Sequence, residues 1–247
     1  YGAAESIFAD IWKSGYNTLL NINYFLKSME GSTAVIGSNN KDVLMGEAYG
    51  LRAYLHFDLF RLFGPRWEDR SNINKILPYS RTTDMILNHV GYEEDVYSTA
   101  DEYLDYLLED IREAERLLAT DPILSDDSAI SKELISDFYK NRNRRMNYYA
   151  VKALQARFYL YTGQTKKAYE AAKAVYTVMP VSLSSMADFN LQYYAAPSEC
   201  LFALSNHKLI DYSIGVTGVG SDRLTGTNLF ISAEMRDKLY EGQDITT

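Results

Sequence analysis

The chain has a single cysteine, Cys200, in 247 residues, so it can build neither an internal disulfide framework nor a cysteine-based metal site. Histidine is almost as scarce. His56, His89 and His207 stand far apart, and none has a partner at HExxH or comparable spacing, which removes the usual metal-binding patterns. His56, between Arg52 and Asp58 on a helix edge, reads as a packed or solvent-facing side chain without a catalytic role. Basic charge is in deficit: 25 Lys and Arg against 33 Asp and Glu give a net charge of -8, which argues against a general grip on phosphate backbones and so against nucleic acid as a partner. Arg142, Arg144 and Arg145 form the one tight basic cluster and read as a solvated loop ahead of a helix. No run of about 18 apolar residues is present, so no segment is expected to span a bilayer as a helix.

Catalytic patterns are missing as well. There is no Gly-x-Ser-x-Gly elbow, and Gly215, Gly218 and Gly220 lack the strand, turn and helix context of a nucleotide site. Acidic groups such as Glu93-Glu94-Asp95 or Asp126-Asp127 are too common to specify a glycosidase dyad. The chain therefore reads as a non-enzyme that needs no cofactor.

What is abundant is tyrosine, 21 residues against 10 Phe and 2 Trp. Phenolic side chains suit surfaces that are half apolar and half wet, such as helix seams and sugar-binding faces. Helical periodicity dominates the rest. Phe8, Trp12, Tyr16, Leu19, Asn23 and Leu26 predict a first helix over 3–29, broken at Gly31-Ser32-Thr33. The run 41–63, closed by Gly64 and Pro65, has two apolar stripes: Leu44, Ala48, Leu51, Leu55, Leu59 and Leu62 on one side, and Gly46, Gly50, Ala53, Phe57 and Phe60 on the other. Such a helix must lie between two neighbours, with Glu47, Arg52, His56, Asp58 and Arg61 squeezed onto its edges.

Thr99 and Glu102 have the form of a capping box, opening a helix through Tyr103, Leu107, Ile111, Ala114 and Leu118 that Asp121 and Pro122 end. Residues 147–180 read as a helical hairpin with a tight turn at Gly163 and a second helix capped by Thr165. The order Ala156, Tyr159, Gly163, Ala168 and Pro180 follows the rhythm of a tetratricopeptide unit. Residues 199–204 read as a short strand, and a last short helix is expected near Ser232. The expected fold is mainly all-α, with tetratricopeptide-like hairpins stacked as a solenoid-type single domain over 1–247 and a minor β element.

Between these helices, residues 64–97 show no sustained period, and irregular segments of this length in a compact domain tend to be functional. The segment holds flat aromatic and planar polar side chains: Trp67, Asn72, Asn74, Tyr79, Arg81, Asn88 and Tyr92. Sugar rings stack their C–H faces on aromatic rings, while their hydroxyls need fixed donors and acceptors. Trp67, Asn72, Asn74, Tyr79, Arg81 and Tyr92 are the candidate ligand-binding residues. Tyr79, following Pro78, is also placed to pin the loop to the helices. Tyr193 and Tyr194 form a weaker second patch.

Several segments in this order resemble the SusD/RagB family. These are the helix with Trp12, Tyr16 and Asn23; the run from Gly46-Glu47-Ala48 through Leu51-Arg52-Ala53-Tyr54 to Phe63-Gly64-Pro65; the acidic Glu109-Asp110-Ile111-Arg112-Glu113-Ala114; the 153–176 hairpin; Ser198 to Leu204; and Tyr240 to Asp244. The resemblance covers nearly the whole chain but only about the first half of a typical member, so the chain is read as a piece of something longer. It implies a surface lipoprotein of Bacteroidetes-type bacteria, anchored at the outer membrane by a lipid outside these residues. Such a protein captures a glycan or other small nutrient for a SusC-like TonB-dependent transporter. The alternative is a helical-repeat scaffold that grips a protein partner without a nutrient ligand.

Overall fold

The computed structural model describes residues 2–83, 97–124, 139, 142–177, 200–204 and 238. The chain divides into two units, residues 1–203 and 204–247, and the elements below belong to the first. In order they are α1 (Gly2–Met29), the short α2 (Thr33–Ile36), α3 (Ser38–Phe63), a 3-10 turn over Trp67–Asn72, and α4 (Ala100–Leu117). The 3-10 turns Leu118–Thr120, Pro122–Leu124 and Arg142–Arg144 then lead to α5 (Tyr148–Tyr161) and α6 (Thr165–Tyr176). Among the described residues there is no strand, and Leu77 and Ser98 meet in an isolated antiparallel bridge.

Helix α3 is the middle layer that its two stripes demand, packed against α1 on one side and α4 on the other. The small and aromatic stripe is the deeper: Gly46, Gly50, Ala53, Phe57 and Phe60 are all buried. At Gly46 a Cβ would lie 2.6 Å from Leu118, and at Gly50 2.7 Å from Met146, so these glycines set how closely the neighbouring turns approach. The leucine stripe is shallower. Leu59 is buried with its methyls against Gly15 of α1, whereas Leu62, at the end of the helix, is 53 % exposed. Phe57, Phe60, Tyr103, Leu107, Ile111, Leu118, Val151 and Phe158 make one continuous core from α3, α4, the 3-10 turn that follows α4, and α5. Each such side chain contributes about 1.5–3 kcal/mol by leaving water.

Helix α4 starts on the capping box that the sequence forecasts. Glu102 N–H donates to Thr99 Oγ1 at 3.2 Å, and Thr99 N–H donates to Glu102 Oε2 at 2.9 Å. Thr99→Ala is expected to lower stability by about 1 kcal/mol, read as a lower urea midpoint at unchanged slope. The hairpin of α5 and α6 also forms. Asn147 caps α5 through Ala150 N–H, and Gly163 takes φ +72° in the turn. Helix α6 begins at Thr165, with Gln164 rather than Thr165 at its cap position.

Three expectations are corrected here. Leu201 to Leu204 do not form a strand. Leu201 O accepts from Asn147 Nδ2 and Ala203 N–H donates to Arg144 O, so a helix cap and a 3-10 turn take backbone groups that a neighbouring strand would need. Arg142 is not solvated: it is 1 % exposed and forks onto Asp121 at 2.8 and 2.5 Å, with Glu47 of α3 as a further partner. Burial of a guanidinium is sustained only with such carboxylates around it. Glu47, Arg52 and His56 are likewise buried and not edge residues of α3, for the same reason: partners on other elements.

Candidate functional site

A buried polar cluster joins α1, α3, α4 and the segment 76–82. Arg52 on α3 donates to Asp110 on α4 from Nε (2.7 Å) and Nη2 (2.6 Å), and from Nη1 to Asn23 Oδ1 on α1 (2.8 Å). Asn23 Nδ2 reaches the carbonyl of Thr82 at 2.8 Å, and the carbonyl and hydroxyl of Ser80 at 3.2 Å. Tyr79 donates to Asp110 Oδ2 at 2.6 Å while its ring stacks on His56 at 3.7 Å. His56 Nε2 faces Ser80 O at 3.2 Å and Nδ1 faces Tyr103 Oη at 2.7 Å, an arrangement met by a neutral ring with its proton on Nε2. Burial holds the His56 pKa down to about 3, opposed by the Ser80 bond and helped by the charge of Arg52. Burial also pushes the phenols of Tyr79 and Tyr103 well up, so both stay protonated. The cluster fixes where the irregular segment leaves the helices.

On that frame the candidate residues fall into two places. Trp67 opens the 3-10 turn, partly buried, with Tyr161 edge-on at 6.3 Å. Arg70 lies over its ring at 3.6 Å, held by Trp67 O (2.9 Å) and Asp101 (3.2 Å). A 3-10 turn eclipses positions three apart, which puts Arg70 on Trp67. Asn72 and Asn74 follow on the exposed rim. Trp67 and Arg70 together form an aromatic surface capped on one side by a planar cation.

Arg81 sits elsewhere, beside the third turn of α4, paired with Glu109 at 2.9 Å and lying over the Tyr106 ring at 4.7 Å. Asp101 and Glu109, which mark the two places, are eight residues apart on α4, about 12 Å along the axis. Next to Arg81 a cleft of about 560 Å³ runs between α3 and α4, lined by Tyr49 and Arg52 from α3, by Arg81, and by Glu109 to Arg116 positions of α4.

The structure thus separates Trp67, Asn72 and Asn74 from Arg81, and sets Tyr79 beneath the segment in the buried cluster. Tyr92, Asn88, Tyr193 and Tyr194 lie outside the described residues. Sequence reading missed Arg70, whose Trp-x-x-Arg spacing in a 3-10 turn was the available signal, and missed Tyr49, Tyr106, Arg112 and Arg116 because α3 and α4 were read for packing. Among the described residues no cluster of His, Cys, Asp or Glu is arranged to hold a metal ion, and no helix is long and apolar enough to cross a membrane.

Stacked helices around a two-faced middle layer define a mainly helical fold. The family SusD-like_3, described as "Starch-binding associating with outer membrane", matches residues 3–160, and the chain belongs to that family. Among solved structures it is similar to a SusD superfamily protein from Bacteroides thetaiotaomicron, with 22 % identity, TM-score 0.55, 72 % of this chain and 34 % of that one. It is also similar to a SusD-like carbohydrate binding protein from Bacteroides vulgatus, with 16 % identity, TM-score 0.54, 72 % of this chain and 33 % of that one. NanU of B. fragilis matches with 23 % identity and TM-score 0.57 over 82 % of this chain and 37 % of its own. At these identities the likeness concerns the fold, and the chain spans about a third of each of these proteins. No curated protein matches in sequence.

Proposed function

We propose that this protein captures a nutrient, an oligosaccharide in the first instance, without converting it, and hands it to a SusC-like TonB-dependent transporter. It would work at the outward face of the outer membrane, held there by a lipid anchor outside these residues. The observation that carries the reading is the Trp67 surface within a chain of the SusD-like_3 family. An indole held between Tyr161 and Arg70 is already ordered, so a sugar that stacks on it meets little further entropy cost. Asn72 and Asn74 supply amide donors and acceptors at its rim.

The test is calorimetry of the chain against a panel of neutral and acidic oligosaccharides. Trp67→Ala is expected to weaken binding at least about tenfold, as loss of a central aromatic anchor does. Circular dichroism should be unchanged because the ring is only partly buried. Undiminished binding by Trp67→Ala would move the site away from this loop. Failure of every glycan to bind at millimolar levels would overturn capture and leave the protein-scaffold reading.

A further inference from the structure

The cleft between α3 and α4 has a chemistry that the Trp67 surface lacks. Glu109, Arg112, Glu113 and Arg116 recur at helical spacing along one side of α4, and Tyr49 and Arg52 face them from α3, with Arg81 closing one end. Three of the four guanidinium groups have a carboxylate partner in the lining: Arg52 with Asp110, Arg81 with Glu109, and Arg116 with Glu113. Arg112, exposed, has none among the described residues. The lining therefore has one positive charge left over, in a chain whose net charge is -8. Asp42 acts on Arg116 from outside that lining.

The floor is preorganised. The Arg52 side chain is 5 % exposed, fixed by Asp110 and Asn23, and its guanidinium lies 4.9 Å from the Tyr49 ring centre. The rim is adaptable: the Arg81–Glu109 and Arg116–Glu113 pairs are both substantially exposed, and exposed pairs of this kind contribute little, so their arginines can turn to a ligand at small cost. A volume of about 560 Å³ is within the range of small-ligand pockets. Guanidinium groups recognise a carboxylate in bidentate fashion, and Tyr49 is the aromatic side chain in the lining that can meet the ring that bears it.

We infer that this cleft binds the carboxylate end of an acidic sugar, with Arg112 as its principal ion-pair partner, Arg116 and Arg81 as helpers, and Tyr49 against the pyranose ring. The inference deepens the glycan-capture reading by naming a ligand class, and it rests on that reading for the sugar but not for the anion.

The experiment is a two-dimensional NMR titration of the chain with glucuronate, glucose and acetate, on the wild type, Arg112→Gln and Tyr49→Ala. Glucuronate is expected to shift α3 and α4 amides next to the cleft at millimolar concentration, with glucose at least tenfold weaker and acetate weaker than glucuronate. Arg112→Gln, at an exposed position, should reduce glucuronate binding at least fivefold with an unchanged circular dichroism spectrum, and Tyr49→Ala should weaken it as well. Equal response to glucose and glucuronate, wild-type affinity in Arg112→Gln, or no shift with glucuronate would each overturn the inference. Neutral oligosaccharides binding through Trp67 while glucuronate fails would sink the cleft alone and leave capture standing. The converse result would sink the Trp67 assignment and keep the cleft.

Discussion

Arg52→Met is expected to lower the unfolding free energy of the chain by about 3–5 kcal/mol, the range seen when one member of a buried ion pair is removed. Asp110, 2 % exposed, would lose both of its guanidinium bonds and retain only the Tyr79 hydroxyl, while Asn23 Oδ1 would lose its donor. The loss would be felt on α1, α3, α4 and the 76–82 segment at once, because the same few atoms hold all of them. The double variant Arg52→Met with Asp110→Leu removes the stranded charge and should recover a large part of the stability, though the Tyr79 hydroxyl and Asn23 Oδ1 still lack partners. Urea midpoints at constant slope are the measurement. A single variant that costs less than about 1 kcal/mol, or a double variant worse than the single by a similar amount, would refute the assignment of the pair as the joint between helices.

Acid should destabilise the protein through His56. In the folded chain burial keeps its pKa near 3, whereas in the unfolded chain it lies near the ordinary value of about 6.5. Between these two values the unfolded state holds the extra proton. The His56 contribution is therefore complete above about pH 6.5 and shrinks as pH falls, by about 1.4 kcal/mol per unit, or about 3 kcal/mol by pH 4. Carboxylates add their own dependence, so the comparison is with His56→Gln, which keeps a donor toward Ser80 and an acceptor toward Tyr103 but does not titrate. Denaturation at about pH 7, 5.5 and 4 should show the wild type losing about 3 kcal/mol more than the variant across that span. Parallel curves would show that folded His56 takes up its proton over the same pH range as the unfolded chain does, and would contradict its buried, neutral geometry stacked against Tyr79.

Much of this fold was legible because local rules and tertiary packing agree. Thr99 and Glu102 sit three apart ahead of an apolar period, and a capping box forms from their side chains and backbone alone. Gly163 follows a helical run and takes the positive φ that such a turn needs. The two stripes of α3 forecast its place between α1 and α4, although the small and aromatic stripe proved the deeper because Gly46 and Gly50 admit Leu118 and Met146 so closely. Charge was read less well. Glu47, Arg52, His56 and Arg142 look like surface residues by type, and each is buried because its partner lies far off in sequence: Arg145, Asp110, Tyr103 and Asp121. No period or spacing encodes those meetings.

The same division applies to the candidate sites. Residue types in the 64–97 segment pointed to Trp67 and Arg81, and both are present at the surface or partly so. Their separation, the stacking of Arg70 on Trp67 and the commitment of Tyr79 to Asp110 depend on how the segment folds back on α4. The sequence by itself determined the helices, the capping box at Thr99, the buried middle layer and the family pattern, because these follow from periodicity and from side chains within one turn of each other. Tertiary structure alone decided which charges are buried, which aromatic faces are covered and that Arg112, with no carboxylate partner among the described residues, lines one cleft with Tyr49, because those outcomes depend on distances across elements that residue order does not carry.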